Sequence, residues 1–370
     1  MQREGYHDTQ VAADGEAALK LIADHAFDLV LLDIMMPICN GYEVLERLNA
    51  ANRLHELPVI VVSALNELDS VVRCIQLGAV DYLTKPFNPT LLRARVNATI
   101  EQKRLRDAVH AHLTRIEAEL NTARKLQAGM VPTHFPPPTA ERPVEIYAMM
   151  EPAREVGGDL YDFFFTEDGR LVFLIADVSG KGVPAAMFMA QTKNLLRLVT
   201  GFLLRDGINA ATPAAILGRV NQELCEGNAS MMFVTGFLGI LDAQTGVLQF
   251  SCAGHEPPYL LNAAGLSPVA GAQGLVLGLT ADWAYETATI QLAPGDTLYL
   301  YTDGITEAFN PENVAFSPQR LQDALRQSAG QSLDQLVQGT IAAVRDFTGE
   351  APQSDDITCL AIRRLPAARG

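Results

Sequence analysis

Apolar residues in the first hundred positions come in short continuous runs separated by amphipathic stretches. This is the pattern of strands buried on both faces alternating with helices. Residues 9–13 read as a short strand ending at Asp14-Gly15, and residues 16–24 as a helix. Residues 27–32 read as a strand closing on Asp33, with a helix over 42–50. Residues 59–62 are a buried strand, 67–77 a helix stopped by Gly78, and 80–83 a last strand running into Thr84-Lys85-Pro86. The alternation predicts an α/β unit with a parallel sheet, whose functional groups belong at the carboxyl ends of the strands.

After Pro89, residues through Ala128 contain neither glycine nor proline. Asn88 can cap the start with Pro89 at the first helical position, and Gly129 marks the end. Val109, Leu113, Ile116, Leu120, Ala123 and Gln127 follow a 4-3-4-3-4 spacing, a heptad seam. One helix here would reach about 60 Å. It could lie on a neighbouring domain or form a dimeric coiled coil. The seam favours a homodimer through helix 89–128, because a lone connector would leave it wet. Pro132, Pro136, Pro137, Pro138 and Pro143 then make linker chemistry.

Beyond the linker the pattern changes to clustered strands and clustered helices. Strands are expected at 144–150, 160–165, 171–176, 234–241, 247–252, 297–301 and 357–363. Helices are expected at about 184–200, 213–226, 318–327 and 332–347. This is an α+β arrangement, read as two antiparallel sheets with helices outside.

Composition narrows the possibilities. At 48% hydrophobic and 19% charged, the chain has apolar material for two cores. No apolar run is long enough to span a bilayer, the N-terminus has no secretory h-region, and the five cysteines are scattered without Cys-x-x-Cys spacing. We therefore expect a cytoplasmic protein without membrane association. Net charge is −15; residues 1–130 carry 14 basic and 17 acidic side chains, residues 131–370 carry 14 and 26. Such a field disfavours nucleic-acid binding.

Four aspartates in the second half share one context. Asp159 follows Gly157-Gly158, Asp177 ends an apolar strand, Asp303 ends another and precedes Gly304, and Asp355 stands with Asp356 before the final strand. Any one could simply end its strand, since Asp-Gly is common turn chemistry. Together they suggest carboxylates aimed at one point, whose repulsion divalent cations would relieve; an all-oxygen set favours Mg²⁺ or Mn²⁺ over Zn²⁺.

The motifs that carry these residues are Arg154-Glu-Val-Gly-Gly-Asp-Leu-Tyr-Asp162, Ala176-Asp-Val-Ser-Gly-Lys-Gly182, Tyr301-Thr-Asp-Gly304 and Ser354-Asp-Asp-Ile-Thr358. In this order they resemble the metal-dependent (type 2C, PPM) protein serine/threonine phosphatases of the bacterial SpoIIE/RsbU branch, over residues 144–366. Ala253-Gly-His-Glu-Pro-Pro258 is similar to a further family segment, with Glu256 where the family usually has Asn. The resemblance implies an αββα sandwich in which Asp159, Asp177, the Val178 carbonyl, Asp303 and Asp355 hold two divalent cations, Mn²⁺ or Mg²⁺, and Asp356 and Thr358 brace them. Arg154 and Lys181 read as solvated basic residues able to reach a phosphate, and His255 as a structural histidine.

In the first domain, Asp33, Ser63 and Lys85 stand at successive strand ends, with Tyr82 nearby. An acid, a hydroxyl and an ammonium so placed can hold an acyl phosphate. The pattern resembles the flavodoxin-like receiver domain of two-component response regulators over residues 1–100, with Asp33 the phosphoacceptor and Ser63, Tyr82 and Lys85 the switch. It implies a cis Lys85–Pro86 bond. The family's first strand, with its Mg²⁺-binding acidic pair, has no counterpart, and Met1 to Tyr6 read as the tail of the first helix.

The resulting organisation is a truncated receiver (1–100), a coiled-coil regulatory helix (101–130), a Pro-rich linker (131–143) and a phosphatase domain (144–366). The resemblance implies an upstream histidine kinase, and as substrate a phosphorylated STAS-type anti-sigma-factor antagonist in partner switching. The alternative is a non-catalytic receiver-gated adaptor that binds a sigma factor or its regulator.

Overall fold

The computed structural model describes residues 6, 8–64, 68–205 and 211–366, and the chain forms two compact units, Met1–Ala118 and Glu119–Gly370. Of the helix tail expected over Met1 to Tyr6, residues 1–5 lie outside the described residues, and Tyr6 is not helical.

The first unit contains α1 (Gly15–Asp24), β1 (Val30–Leu32), α2 (Gly41–Ala50), β2 (Val59–Ser63), α3 (Leu68–Gln76) and β3 (Asp81–Thr84). The strands pair in parallel in the order β1-β2-β3. Every residue of β2 is buried, and alternate residues serve opposite faces. Val59 and Val61 pack with Leu32, Val44 and Leu45, whereas Ile60 and Val62 pack with Leu83 and Val96. That two-sided burial is why β2 reads as an unbroken apolar run. Helix starts follow the capping rules: Asp14 accepts from the Ala17 amide, and Asn40 and Glu43 form a capping box. The expected strand at 9–13 is a correction. Among the described residues no ladder partner pairs with residues 9–13, and a strand exists only through its partner's hydrogen bonds.

α4 (Pro89–Ala128) is a single helix of 40 residues, opened by Asn88, whose side chain accepts from the Thr90 amide at 2.8 Å. Val109, Leu113 and Ile116 of the expected seam are exposed. Gln127, its last member, is buried within the second unit, because its side chain hydrogen-bonds to that unit's backbone. The seam therefore ends before Gln127.

The second unit continues with β4 (Val144–Glu151), β5 (Leu160–Phe165), β6 (Leu171–Val178), α5 (Val183–Arg205), α6 (Pro213–Cys225), β7 (Val234–Leu241) and β8 (Val247–Ala253). The short strands β9 (Tyr259–Asn262), β10 (Gly265–Pro268), β11 (Gln273–Gly274) and β12 (Ala288–Gln291) come next. β13 (Thr297–Tyr301), α7 (Asp303–Thr306), α8 (Ser317–Gln327), α9 (Leu333–Thr348) and β14 (Ile357–Arg364) complete it. One sheet runs β10-β9-β13-β14-β4, the other β11-β8-β7-β6-β5 with β12 beside β8. Phe173, Phe237, Phe250, Leu300, Leu360 and their neighbours fill the space between the sheets. α5 and α6 cover one outer face through Met189, Ile216 and Val220, and α8 and α9 the other through Leu321, Leu336 and Ile341. This is the expected αββα sandwich. The strands β9 to β12 escaped the sequence reading because each is at most four residues long and lies in a Gly- and Pro-containing stretch.

Candidate active site

Four separate elements meet at one end of the sandwich. Asp159 precedes β5, Asp177 and Val178 end β6, Asp303 begins α7, and Asp355 and Asp356 lie just before β14. Three glycines allow the approach. A Cβ on Gly158 would lie 2.8 Å from the Val178 carbonyl oxygen, one on Gly157 2.3 Å from Asp356 Oδ2, and one on Gly304 1.9 Å from the Asp356 carbonyl oxygen. No larger residue fits at these contacts without movement of the backbone or of Asp356.

Asp159 is buried and accepts from Thr302 Oγ1 at 2.8 Å, and Thr302 Oγ1 in turn accepts from the Thr358 amide at 3.0 Å. Asp356 is turned inward. Its Oδ1 accepts from the Ala153 amide at 2.7 Å and its Oδ2 from the Gly158 amide at 2.6 Å, so it holds the loop that carries Asp159. The Thr358 hydroxyl is buried beside Asp159. Nothing in the sequence marks Thr302 for this role, since a strand-end threonine carries no signal for the carboxylate it meets 143 residues away.

Electrostatics tie the carboxyls together. Burial, then the charge of Asp177, raise Asp159 well above the carboxylate range. Burial, then Asp303, push Asp177 up to about 7, while a hydrogen bond with Asp159 opposes this. Burial, then Glu307 and Asp355, raise Asp303 to about 6. Acids that elevate one another in this way hold protons between them unless a cation supplies the missing positive charge. The donors are carboxylates and a backbone carbonyl, hard oxygen ligands that fit Mg²⁺ or Mn²⁺. Among the described residues no group of three or more His, Cys, Asp or Glu side chains stands ready-made around one point. Asp159 and Asp177 are hydrogen-bonded to each other, and Lys181 engages Asp355.

His255 is buried with Nδ1 2.9 Å from Thr235 Oγ1, and burial pushes it down to about 4. Burial thus favours its neutral ring. Beneath the last turn of α4 lies a cavity of about 350 Å³ lined in part by Gln127, Val131, Phe135, Met150 and Tyr161. Gln127 donates to the Gly157 carbonyl at 2.6 Å and accepts from the Gly157 amide at 3.0 Å.

In the first unit, Asp33 follows β1, Ser63 ends β2 and Lys85 follows β3. Lys85 Nζ lies 2.5 Å from Asp33 Oδ2, and Asp33 Oδ1 accepts from the Met35 amide at 3.2 Å. Tyr82 is raised by burial, an effect its hydrogen bond with Ser63 offsets. The Lys85–Pro86 bond is cis. The parallel sheet brings Asp33, Ser63 and Lys85 to its carboxyl edge, while Tyr82 lies within β3, opposite Val61.

Comparison with known proteins agrees with both halves. The family model described as Stage II sporulation protein E (SpoIIE) matches residues 167–365. The chain belongs to the SpoIIE family. Residues 1–97 match the response regulator receiver domain. Asp159 lies outside the SpoIIE match, so its placement in the site rests on the contacts above. Protein IcfG of Synechocystis sp. is 32% identical over 270 residues, 66% of this chain but 41% of the relative. The chain thus spans less than half the length of that relative. Phosphoserine phosphatase RsbU of Bacillus subtilis is 28% identical over 67% of this chain and 71% of its own length. Among solved structures, the SiaA-PP2C domain of Pseudomonas aeruginosa superposes with a TM-score of 0.58 at 26% identity, covering 68% of this chain and 98% of that one. The RsbU and RsbW domains of Rv1364c from Mycobacterium tuberculosis give 0.52 at 29% identity, covering 60% of each chain. Among the described residues no helix is long and apolar enough to cross a membrane.

Proposed function

We propose that this SpoIIE-family member is a metal-dependent protein serine/threonine phosphatase under receiver control. The reading is supported by one observation: Asp177 hydrogen-bonds to Asp159 and feels the charges of Asp303 and Asp355, which come from separate elements. These residues would hold two divalent cations, Mn²⁺ or Mg²⁺. When bound, such cations supply a hydroxide nucleophile at neutral pH and neutralise phosphoryl charge, so no protein nucleophile is required. Asp356 holds the Asp159 loop by two backbone amides, and Thr302 orients the Asp159 carboxylate. The centre is reached from solvent at Asp355, whose side chain is 35% exposed.

As substrate we infer a phosphoserine or phosphothreonine on a STAS-type protein, in a partner-switching system controlling a sigma factor. Likeness to a protein named phosphoserine phosphatase RsbU supports this, as does likeness to a chain that joins RsbU and RsbW domains. For the receiver, the contact between Asp33 and Lys85 supports phosphorylation at Asp33 by an upstream histidine kinase. The exposed Val109, Leu113 and Ile116 support a homodimer through α4, and the chain's composition supports a cytoplasmic location.

The test is Mn²⁺-dependent hydrolysis of p-nitrophenyl phosphate, followed by phosphorylated STAS candidates from the same genome. Asp303→Asn should lose at least about 100-fold in rate, the scale of removing a group that stabilises charge only in the transition state. Equal rates with and without Mn²⁺, or in the variant, would refute the assignment.

A further inference from the structure

Lys181 lies in the turn between β6 and α5, flanked by Gly180 and Gly182 at φ values of 88° and 72°. Left-handed residues on both sides fold the turn back, which carries the lysine across to a segment 173 residues away. There its ammonium lies 2.9 Å from Asp355 Oδ2 and donates to the Ser354 carbonyl oxygen. Asp355 Oδ1 already accepts from the Asp356 amide at 2.9 Å, so both oxygens of this carboxylate are engaged. Among the ion pairs of the described residues, this is the one that reaches any of the four clustered aspartates. The two side chains are 39% and 35% exposed, so the pair is open to water and to exchange.

We propose that Lys181 is the resident counter-ion of the acidic centre, a positioning residue that holds Asp355 and the Ser354 carbonyl in place and is displaced when a divalent cation takes Asp355. The proposal rests on the metal-centre reading and adds to it a competition between one ammonium and the incoming ion. A lysine suits this role. Its charge is a compact point on a flexible stem, able to leave without rearranging the fold.

The experiment is Mn²⁺ titration of the full chain, with free Mn²⁺ read by its electron paramagnetic resonance signal. Lys181→Met should bind Mn²⁺ about fivefold more tightly, the scale of one partly exposed ion pair. Lys181→Arg keeps the ammonium's role and should stay within about twofold of the unaltered chain. In an Asp355→Asn background the Lys181→Met effect should vanish, since the cycle isolates the pair. Equal or weaker Mn²⁺ binding by Lys181→Met overturns the lysine's role while leaving the centre intact. A fivefold gain that persists in Asp355→Asn overturns it as well, because the effect is then general charge removal. No Mn²⁺ binding by the unaltered chain overturns the centre and the proposal with it. Should Lys181→Met not fold, Lys181→Gln takes its place with the same criteria.

Discussion

The side-chain amide of Gln127 and the backbone of Gly157 satisfy each other completely: the Gln127 amide donates to the Gly157 carbonyl, and the Gly157 amide donates to the Gln127 carbonyl. Gly157 and Gly158 then lead into Asp159, and the Gly158 amide is held by Asp356. One glutamine at the end of a 40-residue helix is therefore joined to the loop that carries a candidate metal ligand.

Replacing Gln127 by Leu leaves two buried backbone groups without partners, which should cost about 2–4 kcal/mol of stability. If the helix end positions Asp159, the same variant should also weaken Mn²⁺ affinity. Thermal melts and Mn²⁺ titration check the two effects separately. Unchanged Mn²⁺ affinity would limit Gln127 to a structural role.

Gly304→Ala places a methyl 1.9 Å from the Asp356 carbonyl oxygen, a contact only backbone movement can relieve. Overpacking of this kind costs roughly 1–3 kcal/mol. Because Asp303 and Asp355 both adjoin the contact, phosphatase rate should fall further than the melting temperature suggests. Full activity in Gly304→Ala would show that this approach is not needed for the site.

The elevated carboxyls give a pH dependence opposite to that of an ordinary salt-bridged aspartate. The folded, cation-free protein retains protons on Asp177 and Asp303 that the unfolded chain has released. Their contribution is complete below about pH 4 and is lost as pH rises through about 6 to 7. Each pH unit crossed by one such group is worth about 1.4 kcal/mol. His255, held near 4 by burial, acts in the opposite direction, its contribution being lost as pH falls from about 6.5 toward 4. Comparing the unaltered protein with Asp177→Asn cancels the histidine. The variant should lose less stability between pH 5 and 7, and saturating Mn²⁺ should flatten the unaltered protein's curve. Parallel curves for the two proteins would contradict the shared-proton account.

The exposed seam on α4 predicts self-association. Leu113→Glu should shift the protein from dimer to monomer in sedimentation velocity, because a charge at a seam position must be desolvated in the pair. Two glycines inserted near Ala118 should leave the phosphatase rate intact but uncouple it from the state of Asp33. Persistent coupling would mean the helix is not the transmitter.

Much of this protein is written locally in its chain. Apolar runs marked the long strands because two-sided burial demands continuous Val, Ile and Leu. Capping residues and Gly129 bounded α4, and aspartates at the ends of apolar strands marked the acidic residues. What the chain could not disclose were contacts between distant segments. Among the described residues the strand expected at 9–13 has no partner, and the heptad spacing that enrolled Gln127 is local, whereas its hydrogen bonds lie 30 residues away. Thr302 meeting Asp159, Asp356 turning inward and Lys181 reaching Asp355 were decided by how the two sheets stack. Periodicity reports which face of an element is buried, and only packing reports what that face meets.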